Sequence, residues 1–288
     1  MAPTSLPELI SLQEAARRLG VHYMTAYRYV RTGRLPARRD GQEWLVDSED
    51  LKLAQPAVPV AQDSPAGRAA PRARPRSDRV PILRARMIAG DEAGAWRVVE
   101  DALASGMEPA GIYLDLLVPV LRSVGAGWAE GTVSIAAEHR ASAVAQRIIG
   151  RMGPRFARRG RKRGTVIIGG PPGDQHSLPG AIVADLLRGQ GFEVIDLGAN
   201  TPAVSFTETA QQAARLVAVV IGATTPGLDD GVRSVIAALA NAGVTAPVLV
   251  GGAAISSHEH ASRLGADAWT GPDGRAVLAT VNRIAAAR

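Results

Sequence analysis

The chain has 288 residues, enough for two or three domains, and its 46% hydrophobic and 21% charged residues are ordinary for a protein with a buried core. It contains no cysteine, which excludes disulfides, thiolate nucleophiles and sulfur-ligated zinc or iron–sulfur sites. The formal charge of +6 favours a polyanionic partner, and because neither a membrane-spanning run nor a signal peptide is evident, we expect a cytoplasmic protein.

Two stretches carry much of the basic charge. One runs from Arg68 to Arg86, and the other is RMGPRFARRGRKRG at Arg151–Gly164. Both flank linkers rather than predicted helices or strands. A solvated linker and a nonspecific contact with phosphate groups are equally compatible with such runs.

Residues 1–54 are predicted to form a small head. In SLQEAARRLG the apolar residues recur at helical spacing, Ser11 is a candidate N-cap with Glu14 three residues later, and Gly20 ends the helix. A second helix, HYMTAYRYVRTG, follows after a short turn, and two short strands flank Asp40-Gly41, a dipeptide typical of hairpins.

The strings EAARRLGV, TAYRYVRTGRLPARR and EWLVDSEDL resemble the excisionase-like branch of the MerR helix-turn-helix family, over about fifty residues. The resemblance implies a winged helix-turn-helix head, classed as all-α apart from its wing, that binds double-stranded DNA. Its DNA-contacting residues would be Thr25, Tyr27 and Arg28 on the recognition helix and Arg38 and Arg39 on the wing. In the alternative, Arg28 and Arg31 form a solvated helix face.

Residues 55–78, rich in Pro, Ala and Arg, are predicted to be an extended linker. Residues 79–163 follow as a four-helix bundle, and Pro119 predicts a kink in its third helix. The expected helices are 79–89, 92–105, 108–125 and 132–152.

Residues 164–288 alternate short β runs with helical stretches, which indicates an α/β, doubly wound parallel sheet. Ligands of such sheets bind beyond the carboxyl ends of the strands. Asp174 and His176 follow the first strand, Thr224 and Thr225 the third, and Gly251-Gly252 the fourth. A lone histidine is more often structural, but a carboxylate two residues earlier can orient its ring toward a metal. The loop GGPPGD lacks GxGxxG and the P-loop lysine, so a nucleotide site fits poorly.

These strand ends resemble the cobalamin-binding fold, whose signature is Asp-x-His-x-x-Gly, a serine at a later strand end, and Gly-Gly. The resemblance implies that His176 is the lower cobalt ligand and that the cofactor's nucleotide tail passes Thr224, Thr225, Gly251 and Gly252. Two positions depart from the pattern: Pro179 occupies the motif's glycine, and Ile221 or Gly222 occupies its serine, with Thr224 a possible substitute. Packing of the tail is therefore expected to differ.

In the helical segment, Trp128 followed after nine residues by Glu138-His139 resembles the Trp-x9-Glu-His pattern of CarH/LitR-type light-responsive regulators. The resemblance implies that these three residues cover the upper face of adenosylcobalamin. Alternatively, Trp128 is a core anchor and Glu138 and His139 are a surface pair. Ala129 stands where that family has a cobalt-capturing histidine. Three alternatives follow: His139 substitutes for it, water or another ligand fills the site, or the light response is altered.

The two resemblances together imply a cobalamin-dependent, light-responsive repressor, not an enzyme. In such a protein adenosylcobalamin and its photolysis would switch the homo-oligomer (dimer or tetramer) and its binding to a DNA operator. A corrinoid methyl-carrier protein is one alternative, although such a carrier needs neither head nor linker. A MerR-type regulator that senses another tetrapyrrole or ligand is the other.

Overall fold

The computed structural model describes residues 9–21, 23–31, 34–40, 43–54, 79–271 and 273–287. The chain divides into two compact units, residues 1–70 and 71–288. The predicted linker, 55–78, lies outside the described residues.

The first unit combines two helices with a small antiparallel sheet of order β1-β3-β2. Its elements are β1 (Leu9–Ser11), α1 (Leu12–Arg18), α2 (Tyr23–Arg31), β2 (Ala37–Asp40), β3 (Glu43–Asp47) and a 3-10 helix (Ser48–Ala54). The expectation of an all-α head is therefore wrong, since β1 pairs with the predicted hairpin and completes a three-stranded sheet. The hairpin residue Gly41 lies outside the described part.

The start and end of α1 follow from its sequence. The Ser11 hydroxyl accepts a hydrogen bond from the Glu14 backbone N–H at 3.2 Å, as the capping pattern predicts. Gly20 takes a φ of +66° just after the helix, a conformation that favours glycine. Both helix signals are thus confirmed.

The second unit begins with the predicted four-helix module. Its helices are α3 (Arg79–Ala89), α4 (Glu92–Ala104), a third helix made of α5 (Pro109–Gly111), a π-helical segment (Ile112–Leu117) and α6 (Val118–Glu130), and α7 (Ile135–Met152). The π-helical segment ends at Leu117, and Pro119 is the second residue of α6. Proline has no N–H to donate and its ring crowds the preceding turn, so a wider turn accommodates it there.

The third helix, Pro109–Glu130, is long and apolar enough, by length and composition only, to cross a membrane. In the structure, 39% of its apolar 18-residue stretch is buried. No such run was expected from the sequence. Ile112, Leu116, Leu117 and Val120 are buried in the core of the helical module, so packing within the module accounts for the apolar composition.

A five-stranded parallel sheet of order β5-β4-β6-β7-β8 forms the rest of the unit. Its strands are β4 (Thr165–Gly169), β5 (Glu193–Asp196), β6 (Leu216–Gly222), β7 (Val248–Gly251) and β8 (Ala268–Trp269). The helices are α8 (Leu178–Gly189), α9 (Ala203–Gln212), α10 (Asp229–Asn241), α11 (His258–Arg263) and α12 (Gly274–Ala286). The strand order reverses between β4 and β6, which places the topological switch point of the fold there.

A buried polar contact joins the helical module to the sheet module. The Tyr113 hydroxyl of the third helix donates a hydrogen bond to the Asp185 carboxylate of α8 at 2.7 Å, and Arg188 pairs with the same carboxylate at 2.9 Å. Burial and the hydrogen bond to Asp185 raise the pKa of Tyr113. The tyrosine therefore stays protonated and fixes the third helix against α8.

Candidate functional site

The loops that follow β4 and β6 meet at the switch point of the sheet. Asp174 and His176 lie on the first loop, and Thr224 and Thr225 lie on the second. The two strands pair in parallel from Val166 to Gly169, so their carboxyl ends reach the same edge. The structure thus brings together two pairs of residues, Asp174 with His176 and Thr224 with Thr225, that are about fifty positions apart in sequence.

Asp174 is the centre of this cluster and is completely buried. One carboxylate oxygen accepts hydrogen bonds from the backbone N–H groups of Thr224 and Thr225. The other accepts the Thr225 hydroxyl at 3.2 Å, the His176 backbone N–H at 3.1 Å and the His176 Nδ1–H at 2.8 Å. A buried carboxylate with this many donors is held in one orientation.

These donors also keep Asp174 charged. Burial by itself raises the pKa of the carboxyl, but the hydrogen bonds from His176 and the Thr224 backbone outweigh it, and the pKa of Asp174 is lowered. The carboxylate therefore remains the acceptor for the imidazole, which fixes the histidine tautomer with its proton on Nδ1.

His176 projects from the cluster into open space, with its side chain about half exposed. Since Nδ1 faces Asp174, the lone pair of Nε2 on the far side of the ring is available to a metal. One imidazole supplies a single ligand, which suits a metal that arrives already held by a macrocycle.

Asn200, which the sequence analysis missed, clamps the Asp174 loop from the turn after β5. Its backbone N–H donates to the Asp174 carbonyl at 2.7 Å, and its side-chain oxygen accepts the Gly173 N–H at 2.7 Å. Its φ is +50°, and asparagine is among the few residues that tolerate this conformation. An Asn after a strand was the available signal, but only the fold shows which loop it holds.

The Gly251-Gly252 pair at the end of β7 is required by the protein itself. A Cβ on Gly251 would overlap the Thr270 hydroxyl, and a Cβ on Gly252 would overlap the Ala223 carbonyl. Gly252 also has a φ of +100°, which disfavours any side chain. The same absence of side chains leaves the strand end open toward the groove described next.

A groove runs from His176 along the sheet edge, with a cavity of about 490 Å³. Its lining includes His176, Pro179, Gly180, Val183, Thr224, Gly251, Gly252 and Val277. A neighbouring cavity of about 810 Å³ shares Pro179, Val183, Thr224, Gly252 and Val277 and is closed on one side by Leu114, Val118, Leu121 and Arg122 of the third helix. Apart from Pro179, the lining residues of the third helix, α8 and α12 were not predicted for the site, because no local motif marks them. Pro179, which stands at the glycine position of the expected motif, lines both cavities.

Trp128, Glu138 and His139 line neither of these two cavities. Trp128 packs against the core of the helical module. Glu138 accepts the Ser142 hydroxyl at 2.6 Å, and His139, about three-quarters exposed, has Nε2 at 3.7 Å from the Glu138 carboxylate. These contacts match the alternative of a core anchor and a surface pair, and the upper-face role stays a prediction.

Of the predicted DNA-contacting residues, Arg38 and Arg39 are exposed on β2. Tyr27 is half-buried, with its ring edge-on to Trp44 at 6.4 Å between centroids. Thr25 and Arg28 belong to α2, but their side chains lie outside the described part of the chain.

Comparison with known families now defines the class of protein. Two families, both described as B12 binding domain, match residues 83–152 and 164–281, and a helix-turn-helix domain family matches residues 9–53. The helical module, the parallel sheet and the switch-point groove are thus parts of a cobalamin-binding protein.

Among curated proteins, trimethylamine corrinoid protein 2 of Methanosarcina acetivorans is 30% identical over 202 residues, which are 68% of this chain and 90% of the relative. Trimethylamine corrinoid protein 1 of the same organism is 28% identical over 184 residues, 62% of this chain and 84% of the relative. The chain belongs to the corrinoid protein family. The monomethylamine corrinoid protein structure of Methanosarcina barkeri shares the fold, with a TM-score of 0.64 and 19% identity over 73% of this chain and 100% of that one.

These relatives bear out the prediction of a cobalamin or corrinoid cofactor. They do not support the resemblance to light-responsive regulators, and their names correspond to the corrinoid carrier that the sequence analysis kept as an alternative.

Proposed function

We propose that the chain is a cobalamin-dependent DNA-binding regulator of the cytoplasm, a repressor rather than an enzyme. The observation that carries this proposal is the helix-turn-helix match at residues 9–53 in a chain that also contains both B12 binding domains. The alignment with trimethylamine corrinoid protein 2 covers 90% of that protein but only 68% of this chain. The extra length leaves room for a module that a carrier does not use.

The head offers the surface that such a role needs. A helix of nine residues, α2, would lie in the major groove, while Arg38 and Arg39, exposed on β2, would contact phosphates from the wing. Ala26 and Tyr29 are buried, so their face of α2 packs into the head, and the proposal assigns the DNA contacts to the other face.

The switch-point residues fit cobalamin. Bound cobalamin would supply a cobalt centre whose upper ligand can be exchanged. In the protein, Asp174 holds the Nδ1 proton of His176, so that Nε2 would be free to hold the cobalt of bound cobalamin. The groove past Thr224, Gly251 and Gly252 would hold the nucleotide tail between α8 and α12.

The proposal also includes the form of the cofactor, the oligomer and the signal. We take adenosylcobalamin as the ligand, an oligomer of the chain as the DNA-binding state and light as the input. Several heads on one oligomer bind a repeated operator far more tightly than separate heads, so dissociation would release DNA. Because residue 129 is alanine, it has no imidazole that could bind the upper face of the cobalt after photolysis.

A corrinoid methyl carrier is the second candidate, and the names of the curated relatives favour it. Its requirements are met by residues 79–288 alone, which hold the groove and the helical module. In that case the 810 Å³ cavity beside Leu114, Val118 and Leu121 would open toward a methyltransferase. The head would then have no role in the reaction.

DNA binding measured with and without cobalamin separates the two candidates. The purified chain is loaded with adenosylcobalamin or hydroxocobalamin, kept dark or illuminated, and followed by absorption, size-exclusion chromatography and selection from random duplex DNA. A selected sequence whose affinity depends on the cobalamin form supports the regulator. No selected sequence, together with methyl transfer to cobalamin in the presence of a methyltransferase, would reject it.

For the recognition helix, Arg28→Ala is expected to weaken binding to the selected operator about 5- to 150-fold, the cost of one good base contact. The oligomeric state and the cobalamin spectrum should not change, because the substitution is in the head. Arg17→Ala, an exposed residue of α1 that pairs with Glu14, is the matched control. An unchanged footprint would remove Arg28 from the DNA-reading surface.

For the upper face, Trp128→Ala is expected to weaken adenosylcobalamin at least tenfold more than hydroxocobalamin, since only the former presents an adenosyl group to cover. Trp96→Ala is the control, because Trp96 packs against the same helical core. Equal losses for the two cobalamins, as with Trp96→Ala, would show that Trp128 only packs.

A further inference from the structure

The connection between α7 and β4 concentrates the basic charge of the molecule. Residues 155–163 contain six of the 33 Lys and Arg residues and none of the 27 Asp and Glu. The rest of the chain therefore holds 27 basic and 27 acidic residues and is formally neutral. This nine-residue segment, which we call the basic connection, carries a formal charge of +6, equal to the net charge of the whole chain.

The basic connection lies at the edge of the sheet opposite the cobalamin groove. It leads directly into the amino end of β4, whereas Asp174 and His176 follow the carboxyl end of the same strand. In a parallel sheet all amino ends lie on one edge and all carboxyl ends on the other. A ligand of the basic connection and a cofactor in the groove would therefore not compete for space.

The sequence analysis treated this segment as flanking a linker, but the structure holds it at both ends. At its start Phe156 is buried and stacks on Tyr113 at 4.9 Å. At its end the Arg215 guanidinium donates to the carbonyls of Lys162 and Arg163, at 3.1 and 3.3 Å. An anchored segment loses less conformational entropy on binding than a free linker.

The charged groups between these anchors face solvent. Arg155, Arg158, Arg159 and Arg161 are exposed, and within the described residues none of them lies in an ion pair. Two acidic residues lie at this edge: Glu193 pairs in register opposite Thr165, and the Asp267 carboxylate accepts the backbone N–H of Val248 at the start of β7. The positive potential is thus left largely uncompensated by the protein.

We propose that the basic connection is a second, sequence-independent contact with the phosphate backbone of double-stranded DNA. Five of its six cations are arginine, whose planar guanidinium matches phosphate oxygens. The exposed large hydrophobic residues among those described, Leu9, Tyr23 and Val204, lie elsewhere, which disfavours insertion into a lipid surface. The inference rests on the proposed DNA-binding function, and it assigns phosphate contacts to the cobalamin-binding unit as well as to the head.

The test is the salt dependence of DNA affinity of the full chain. Each phosphate contact contributes about 0.9 to the slope of log K against log salt concentration. A triple variant should therefore make the slope less steep by about 3 on random duplex DNA. It combines Arg158→Gln, Arg159→Gln and Arg161→Gln. The matched control combines Arg97→Gln, Arg263→Gln and Arg283→Gln, three exposed arginines spread over other helices, and should change the slope by less than about 1.

The outcomes separate this inference from the proposed function. A wild-type slope in the 158/159/161 variant, or an equal change in the control, overturns the basic connection while leaving the regulator intact. Arg28→Ala should lose operator preference yet keep the random-DNA slope, which assigns the two properties to different surfaces. Absence of DNA binding by the wild-type chain overturns both. Loss of binding to anionic phosphatidylserine vesicles but not to DNA would assign the segment to a membrane and overturn it. An unchanged cobalamin spectrum shows that the variants are folded.

Discussion

Replacing His176 by alanine is expected to abolish the lower-ligand contact and to give the largest loss of cobalamin affinity. The reason is that the Asp174 contact aims one imidazole nitrogen into the groove, and that nitrogen is the metal donor the groove offers. Removing a residue that merely orients a ligand costs about 10- to 100-fold in metal affinity, so removal of the ligand itself should cost at least that much. Equilibrium binding and the absorption spectrum measure both effects.

His258→Ala is the control for this experiment. His258 is exposed at the start of α11 and lines neither cavity, so its removal should leave affinity and spectrum unchanged. If His176→Ala bound cobalamin with wild-type affinity and an unaltered spectrum, the assignment of the lower ligand would be wrong.

Asp174→Asn is expected to lower cobalamin affinity by about 10- to 100-fold, the cost of losing a partner that orients a metal-binding histidine. An asparagine NH₂ group cannot accept a hydrogen bond, so it would leave either the Thr224 and Thr225 backbone donors or His176 without an acceptor. An unsatisfied buried donor also costs about 1–3 kcal/mol of folding free energy. Binding titrations and urea unfolding of the apoprotein measure the two effects separately.

The chain provides a second Asp–His pair as the matched control. His260 Nε2 lies 3.2 Å from an Asp229 oxygen, but this carboxylate is 40% exposed and lines neither cavity. Water can replace a lost partner there, so Asp229→Asn should change the free energy of unfolding by less than about 1 kcal/mol and leave cobalamin affinity unaltered. Equal effects of the two substitutions would show that Asp174 has no special role in positioning His176.

The sequence by itself determined most of the local structure. Apolar periodicity predicted the four helices of the module and the five β runs of the sheet, and Ser11 and Gly20 predicted the start and end of α1. Caps, turns and helix or strand periodicity depend on residues a few positions apart, so they can be read from the chain directly. The Asp-x-His string predicted the hydrogen bond between Asp174 and His176 for the same reason, since both side chains come from one loop.

What only the tertiary structure decided involves partners that are distant in sequence. The Thr224 and Thr225 donors reach Asp174 because β6 pairs with β4, and Asn200 reaches its loop from the turn after β5. Three other features also depend on residues distant in sequence. They are the pairing of β1 with the hairpin, the cavity wall from the third helix and the anchoring of the basic connection by Arg215. Each depends on strand order and on packing between modules, which are set by the summed burial of many side chains rather than by any local motif.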